Sequence, residues 1–254
     1  MRKMCFVVFA LALMTSLAAA QITDIITLHA CDANGAITST GSFTVKGVVT
    51  TINLDGGALQ FYLQDATGGV QVFKSGSSSW YSSKGLAIGK EITVTGVLDQ
   101  YYSMLEIVPA NETDITVLGD GVIPDPEEIT INDLQDLTVA DQNRFNKRGK
   151  LVVINNVYKA DPKPAGGTDW PELGKDSNKF CIAIGSPNAT PTGILRFDKD
   201  TDCDENPEPT WPQNVRGVFT QNDGSSPFFS VFQVSPMAYT DFSAYTSVND
   251  WEMY

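Results

Sequence analysis

Phe43-Thr-Val-Lys-Gly-Val-Val-Thr50, Leu59-Gln-Phe-Tyr-Leu-Gln-Asp65, Val70-Gln-Val-Phe73, Gly89-Lys-Glu-Ile-Thr-Val-Thr-Gly-Val-Leu98 and Met104-Leu-Glu-Ile-Val108 follow one another and decide the fold. The runs alternate in the two-residue period of a pleated strand. In the second and third, Leu59, Phe61, Leu63, Val70 and Val72 share one face, as a barrel core requires, and Gln60, Tyr62, Gln64, Gln71 and Phe73 share the other. Asp65-Ala-Thr-Gly-Gly69 joins them as a tight turn, since aspartate bonds its own backbone and glycine accepts positive φ. Gly47 and Gly96 interrupt strand patterns where a missing side chain permits the sharp coiling of a small barrel.

Five strands in this order, with a long third-to-fourth connection, resemble the OB-fold, the oligonucleotide/oligosaccharide-binding barrel. The run FYLQDATGGVQVF, between VKGVVT and GKEITVTGVL, is similar to OB-type repeats of secreted bacterial proteins, some of which also carry extracellular nuclease domains. The resemblance implies a binding module, with ligand on the outer face of strands two and three beside the fourth-to-fifth loop.

A weaker copy of the pattern follows. Gly149–Val157, Lys179–Ile184, Gly193–Phe197, Val215–Phe219 and Phe228–Val234 stand where its five strands belong, with Asn222-Asp-Gly224 as a hairpin signal before the last. The fold class expected is therefore all-β: two tandem five-stranded OB-like barrels with a short connecting helix. That helix starts at the capping-box-like Thr130-Ile-Asn-Asp133. Two prolines in Gly121-Val-Ile-Pro-Asp-Pro126 stiffen a connection. The divisions are residues 1–20, a signal peptide; 21–120, the first barrel with its lead; 121–128, a linker; and 129–254, the second, divergent barrel.

The signal peptide is read from Arg2 and Lys3, the apolar run Phe6–Leu13, and Ala18-Ala-Ala20 before Gln21. It predicts a secreted protein, extracellular or periplasmic, with no membrane span after cleavage. The chain carries a formal charge of −13, and removing Arg2 and Lys3 makes this −15. Such acidity repels polyanions at long range and weighs against sequence-independent nucleic-acid binding. Arg144, Lys147, Arg148 and Lys150 are the one dense basic cluster, read as a solvated helix end rather than a phosphate patch. In an oxidising compartment Cys181 and Cys203 either bridge a strand to its following loop or remain buried thiols; Cys31 is expected to be unpaired.

The candidate ligand-binding set is Tyr62, Phe73, Tyr101 and Tyr102 as stacking rings, with Gln60, Gln64 and Gln71 as hydrogen-bonding groups. Trp80 reads as a plug at the barrel bottom. Asp198, Asp200, Asp202 and Asp204 alternate as in a calcium loop, but the glycine and the bidentate glutamate of an EF-hand are missing, so any calcium site is weak. His29 has no nucleophile motif around it, and no metal or nucleotide fingerprint is present, so no catalytic residue is expected. The reading is a non-enzymatic binding module for single-stranded nucleic acid, oligosaccharide or a protein. The alternative is a structural or protein-interaction module of the cell surface or secreted matrix, with Tyr62 and Phe73 packed away.

Overall fold

The alternating runs become strands wherever hydrophobic periodicity and turn chemistry agree. In a computed structural model, residues 21–245 are described; the expected signal peptide lies outside them. The chain is mostly strand, and no described helix is long and apolar enough to cross a membrane. The first sheet contains β1 (Ser42–Val49), β2 (Leu59–Gln64), β3 (Gly69–Lys74), β4 (Lys90–Tyr101), β5 (Met104–Val108) and β6 (Ile115–Asp120). Its order is β1-β2-β3-β5-β4-β6, and β1 also pairs with β4, which closes a five-stranded barrel. The β3–β5 pair is parallel and the others are antiparallel.

Leu59, Phe61, Leu63, Val70 and Val72 fill this barrel, as their alternation requires. Gly47 and Gly96 lie against neighbouring strand backbone, where added Cβ atoms would come within 2.6 Å of the Gln64 carbonyl oxygen and 2.7 Å of the Val108 one. Helix α1 (Ile25–Leu28) buries Ile25 and Leu28 in the same core. Helix α2 (Ser79–Ser83) packs Trp80 and Tyr81 against it. Residues 115–120 form the separate edge strand β6 on β4.

The second sheet contains β7 (Glu127–Glu128), β8 (Leu151–Lys159), β9 (Ser177–Ile184), β10 (Gly193–Phe197), β11 (Gln213–Gln221), β12 (Phe232–Ser235) and β13 (Phe242–Ala244). Its order is β13-β11-β12-β10-β9-β8-β7, with β11 also paired to β8 and β10 parallel to β12. Phe145, Phe180, Phe197, Phe219 and Phe232 are fully buried in its core. Two sequence expectations shift. The last strand begins at Phe232 rather than Phe228, and Asn222-Asp-Gly224 opens a longer loop, because Asp223 accepts the backbone N–H groups of Ser225 and Ser230 at 3.2 and 2.9 Å. Between β7 and β8, Ile131–Leu134 form a 3-10 turn capped as expected, the Thr130 N–H donating to Asp133 at 2.8 Å. Helix α3 (Gln142–Phe145) follows it.

The two sheets meet at backbone contact. Gly69 at the start of β3 lies directly against Gly149 before β8, and a Cβ on Gly69 would sit 2.1 Å from the Gly149 oxygen. His29, fully buried, spans the contact: Nδ1 lies 3.0 Å from the Phe145 carbonyl oxygen and Nε2 lies 2.7 Å from that of Gly69. Arg148 is equally buried. Its guanidinium donates to the carbonyls of Ser103 at 2.6 Å and Phe145 at 3.1 Å, and lies over the Phe145 ring at 4.8 Å. Carbonyls and a ring face stand in for a counter-charge, which tempers the several-kcal/mol cost of burying an ion. Beside this polar junction, Leu54, Tyr62 and Met104 of the first unit pack on Leu151, Val218 and Met237 of the second.

The basic cluster is therefore not a solvated helix end. Arg148 is interior, Lys147 and Lys150 both pair with Glu127, and Arg144 pairs with Asp133 at 3.6 Å.

Two outcomes follow for stability. Gly69→Ala forces a methyl group into the Gly149 backbone and is expected to cost about 3 kcal/mol, read as a lower urea midpoint; an unchanged midpoint would refute the contact. Burial, then the Arg148 guanidinium, hold the His29 imidazole down at about 4, below its usual 6.5. A depressed folded value means the contribution is present above pH 6.5 and is lost as pH falls toward 4. Melting points measured across that window should fall more steeply for the wild-type protein than for His29→Gln.

Candidate binding cleft

Strand alternation turns Tyr62 and Gln71 away from the first core, and it does the same to Glu106 on β5. Gln71 and Glu106 are register partners across β3 and β5, and Asp99 stands opposite Glu106 across β4 and β5. The Tyr62 hydroxyl donates to Gln71 Oε1 at 2.9 Å, and Gln71 Nε2 donates to Glu106 Oε1 at 2.9 Å. Glu106 is buried, and that burial, with the like charge of Asp99, raises its carboxyl to about 7. Burial likewise pushes the Tyr62 phenol up.

These groups form one wall of a cleft of about 430 Å³ whose other wall is the second sheet. Arg196 of β10, Thr220 and Gln221 of β11, and Gln233 and Ser235 of β12 line that wall. Several are already engaged: Arg196 pairs with Asp198 at 2.7 Å, the Thr220 and Ser235 hydroxyls bond at 2.9 Å, and Gln221 donates to the carbonyls of Phe228 and Ser230 at 3.0 Å. Gln233 is different. It is 2% exposed, and its Oε1 is a buried acceptor with no hydrogen-bond partner.

The rim is the β4–β5 hairpin. Tyr102 and Ser103 take φ of 45° and 69°, the pair of left-handed residues of a tight hairpin turn. The Ser103 hydroxyl donates to the Asp223 carbonyl at 2.7 Å, and the Tyr102 ring lies over Gly224, so the hairpin tip is moored to the second unit. Tyr101 and Tyr102 stay 62% and 48% exposed, edge to face with centroids 4.7 Å apart.

Of the residues expected from sequence, the cleft gathers Gln60, Tyr62, Gln71, Tyr101 and Tyr102. Tyr62 contributes only its edge, because its ring is buried in the sheet–sheet contact. Gln64 is spent on the same contact, accepting the Leu151 N–H at 2.8 Å. Phe73, near the end of β3, is half-buried and lies outside the cleft lining. Glu106, Arg196 and Gln233 were not expected. The signal for Glu106 was present, since a carboxylate alternates with Leu105 and Ile107 inside an apolar strand. The other two depend on how the second sheet packs.

The acidic loop does not gather its carboxylates. Asp198 binds Arg196, Asp200 pairs with Lys199 at 2.8 Å, Asp202 accepts the Tyr239 N–H at 2.6 Å, and Asp204 accepts that of Gly174 at 2.5 Å. Each is turned to a different partner, and among the described residues no three His, Cys, Asp or Glu side chains converge as a metal site. The Cys181–Cys203 bridge is also absent. Cys203 is packed in the second core, whereas Cys181 faces the opposite side of β9 with Ala160 and Ala183.

No family model matches the chain. It is 33% identical over 128 residues to endonuclease YhcR of Bacillus subtilis (strain 168), a match covering 49% of this chain and 10% of that protein. The chain thus spans about a tenth of that relative's length. Among solved structures, OBody AM3L09 bound to hen egg-white lysozyme aligns at 14% identity and TM-score 0.31, covering 41% of this chain and all of that one. The hypothetical protein ygiW from E. coli aligns at 13% identity and TM-score 0.28, covering 39% of this chain and 90% of that one. The partial relative and the closed five-stranded barrel together fit an OB-like fold.

Glu106 sets a test of the cleft electrostatics. Its folded value, about 7, lies above the ordinary 4.5, so its contribution is full below pH 4.5 and is lost as pH rises through 7. Glu106→Gln should therefore match the wild-type melting point at pH 4.5 and exceed it at pH 8. Equal melting points at both would show that the carboxyl is not strained by burial.

Proposed function

We propose that this chain is a secreted, non-enzymatic binding module that takes its ligand in the cleft between the two sheets, the second being a divergent copy of the first. The observation that carries this reading is the composite lining. Amides from both sheets and two exposed tyrosines converge on a cavity whose size falls within the usual range for ligand pockets, about 300–1,000 Å³. His29, held between two backbone carbonyls at the junction, is committed to structure rather than turned to the cleft. The partial relative named as an endonuclease supports nucleic acid as a ligand class, while the −13 charge opposes it. Oligosaccharide and protein are the other classes the lining fits.

One observation favours the alternative of a structural or interaction module: the Tyr62 ring and Gln64 belong to the sheet–sheet contact. The two readings separate on the rim. Titrating intrinsic fluorescence with oligothymidylate, maltohexaose and an arginine-containing peptide should give saturation with one of them. Tyr101→Ser with Tyr102→Ser should weaken that binding tenfold or more, since a stacked ring contributes about 1–3 kcal/mol, while leaving the fold intact. Nucleic-acid affinity would fall steeply with salt, and sugar affinity would not. Wild-type protein unresponsive to all three probes would leave the structural module standing.

A further inference from the structure

The lining residues differ in what they still need. In the first sheet, Tyr62 and Gln71 are hydrogen-bonded in sequence, and the chain of donors ends on Glu106, a group that when ionised can only accept. In the second sheet, the buried Gln233 Oε1 accepts from nothing. A buried acceptor left unpaired destabilises the fold, and a buried carboxylate with no cation beside it does so more strongly. Asp99 repels Glu106 across β4 and β5, and Arg196 lines the facing wall, its guanidinium engaged with Asp198; Lys74 on β3 and Lys90 and Glu91 on β4 lie outside the cleft lining. Tyr62, Tyr101 and Tyr102 are the remaining titratable groups of the cleft. Gln233 Oε1 therefore lacks any donor, Glu106 has the Gln71 amide but no cation, and the exposed Tyr101 and Tyr102 stand at the rim, where a ring quadrupole attracts positive charge.

Building on the cleft reading above, we infer that the cleft receives a cationic nitrogen group, an alkylammonium or guanidinium, which donates to Glu106 and to Gln233 Oε1 while passing the faces of Tyr101 and Tyr102. A phosphate would meet the Glu106 carboxylate, an overall acidic chain and an arginine already paired. A neutral sugar hydroxyl can donate to either acceptor, but it leaves the Glu106 charge unanswered. The cationic group comes from a free amine or from a basic side chain of a partner, and the same chemistry serves both.

The test uses the whole chain and calorimetry with agmatine and with a short arginine-containing peptide, run beside maltohexaose and oligothymidylate. The inference expects binding of the cationic probes, tighter for the peptide if the source is a protein. Because the ligand needs the ionised carboxylate, affinity should rise from pH 6 to pH 8. Glu106→Gln should lower it tenfold or more at pH 8 and flatten the pH profile. Gln233→Met should weaken the same binding while leaving the urea midpoint unchanged or higher, which a merely structural glutamine would not do. Binding of agmatine and peptide that is indifferent to both substitutions, or flat with pH, overturns the inference. Binding of maltohexaose or oligothymidylate with loss on Tyr101→Ser and Tyr102→Ser, and none of the amines, overturns it but leaves the binding-module reading intact. No binding of any probe removes both.

Discussion

The contact of Gly69 with Gly149 is the constraint on which the relation of the two sheets depends. Backbone meets backbone there with no room for a methyl group, so the approach of the sheets is fixed by main-chain geometry rather than by adjustable side chains. Such a contact also leaves carbonyl oxygens pointing into a dry interior, and buried carbonyls need donors. Arg148 donates to those of Ser103 and Phe145, and the neutral His29 imidazole donates its single N–H to one of the two carbonyls it lies between. Their side chains do the work that a strand ladder does within each sheet. That explains why a histidine and an arginine are buried where apolar residues would ordinarily stand.

The seam determines what the outer faces can do. With the sheets held at that separation, the polar faces of β3 and β5 look across at those of β10, β11 and β12, and a cleft remains where the apolar packing of Tyr62, Met104, Leu151 and Val218 ends. Glu106 has its raised pKa because the facing sheet removes water from it while Asp99 stays opposite. The electrostatics of the cleft are thus a product of the junction. The β4–β5 hairpin is pinned by Ser103 to the second unit for the same reason, so the tyrosine rim has a fixed height above the cleft floor.

The strands of the first barrel were legible in the sequence because period-two alternation and turn residues agreed throughout residues 43–108. The lead was legible as an ordered segment, though not as the carrier of His29 into the seam. Phe73 and Gln64 show the limit of reading faces. Alternation says which way a side chain points, and nothing about what lies opposite; one faces the second unit and the other lies beyond the cleft. Gln233 and Arg196 were hidden for the same reason, since the first-sheet residues they face across the cleft are far away in sequence. The carboxylates of the acidic run 198–204 stay apart, because regular spacing brings them together only if the loop curls around one centre. Here the nearest donors, Arg196, Lys199 and the backbone of Gly174 and Tyr239, draw the carboxylates apart.

The placement of His29 also bears on how such a chain can be inherited. The residue at the junction precedes the first strand, and its ring nitrogens face one carbonyl of each unit. A recombination point in the Gly121–Pro126 segment would separate the second unit from its fastener while leaving each strand set whole. Keeping the seam therefore means keeping the short lead together with the second unit.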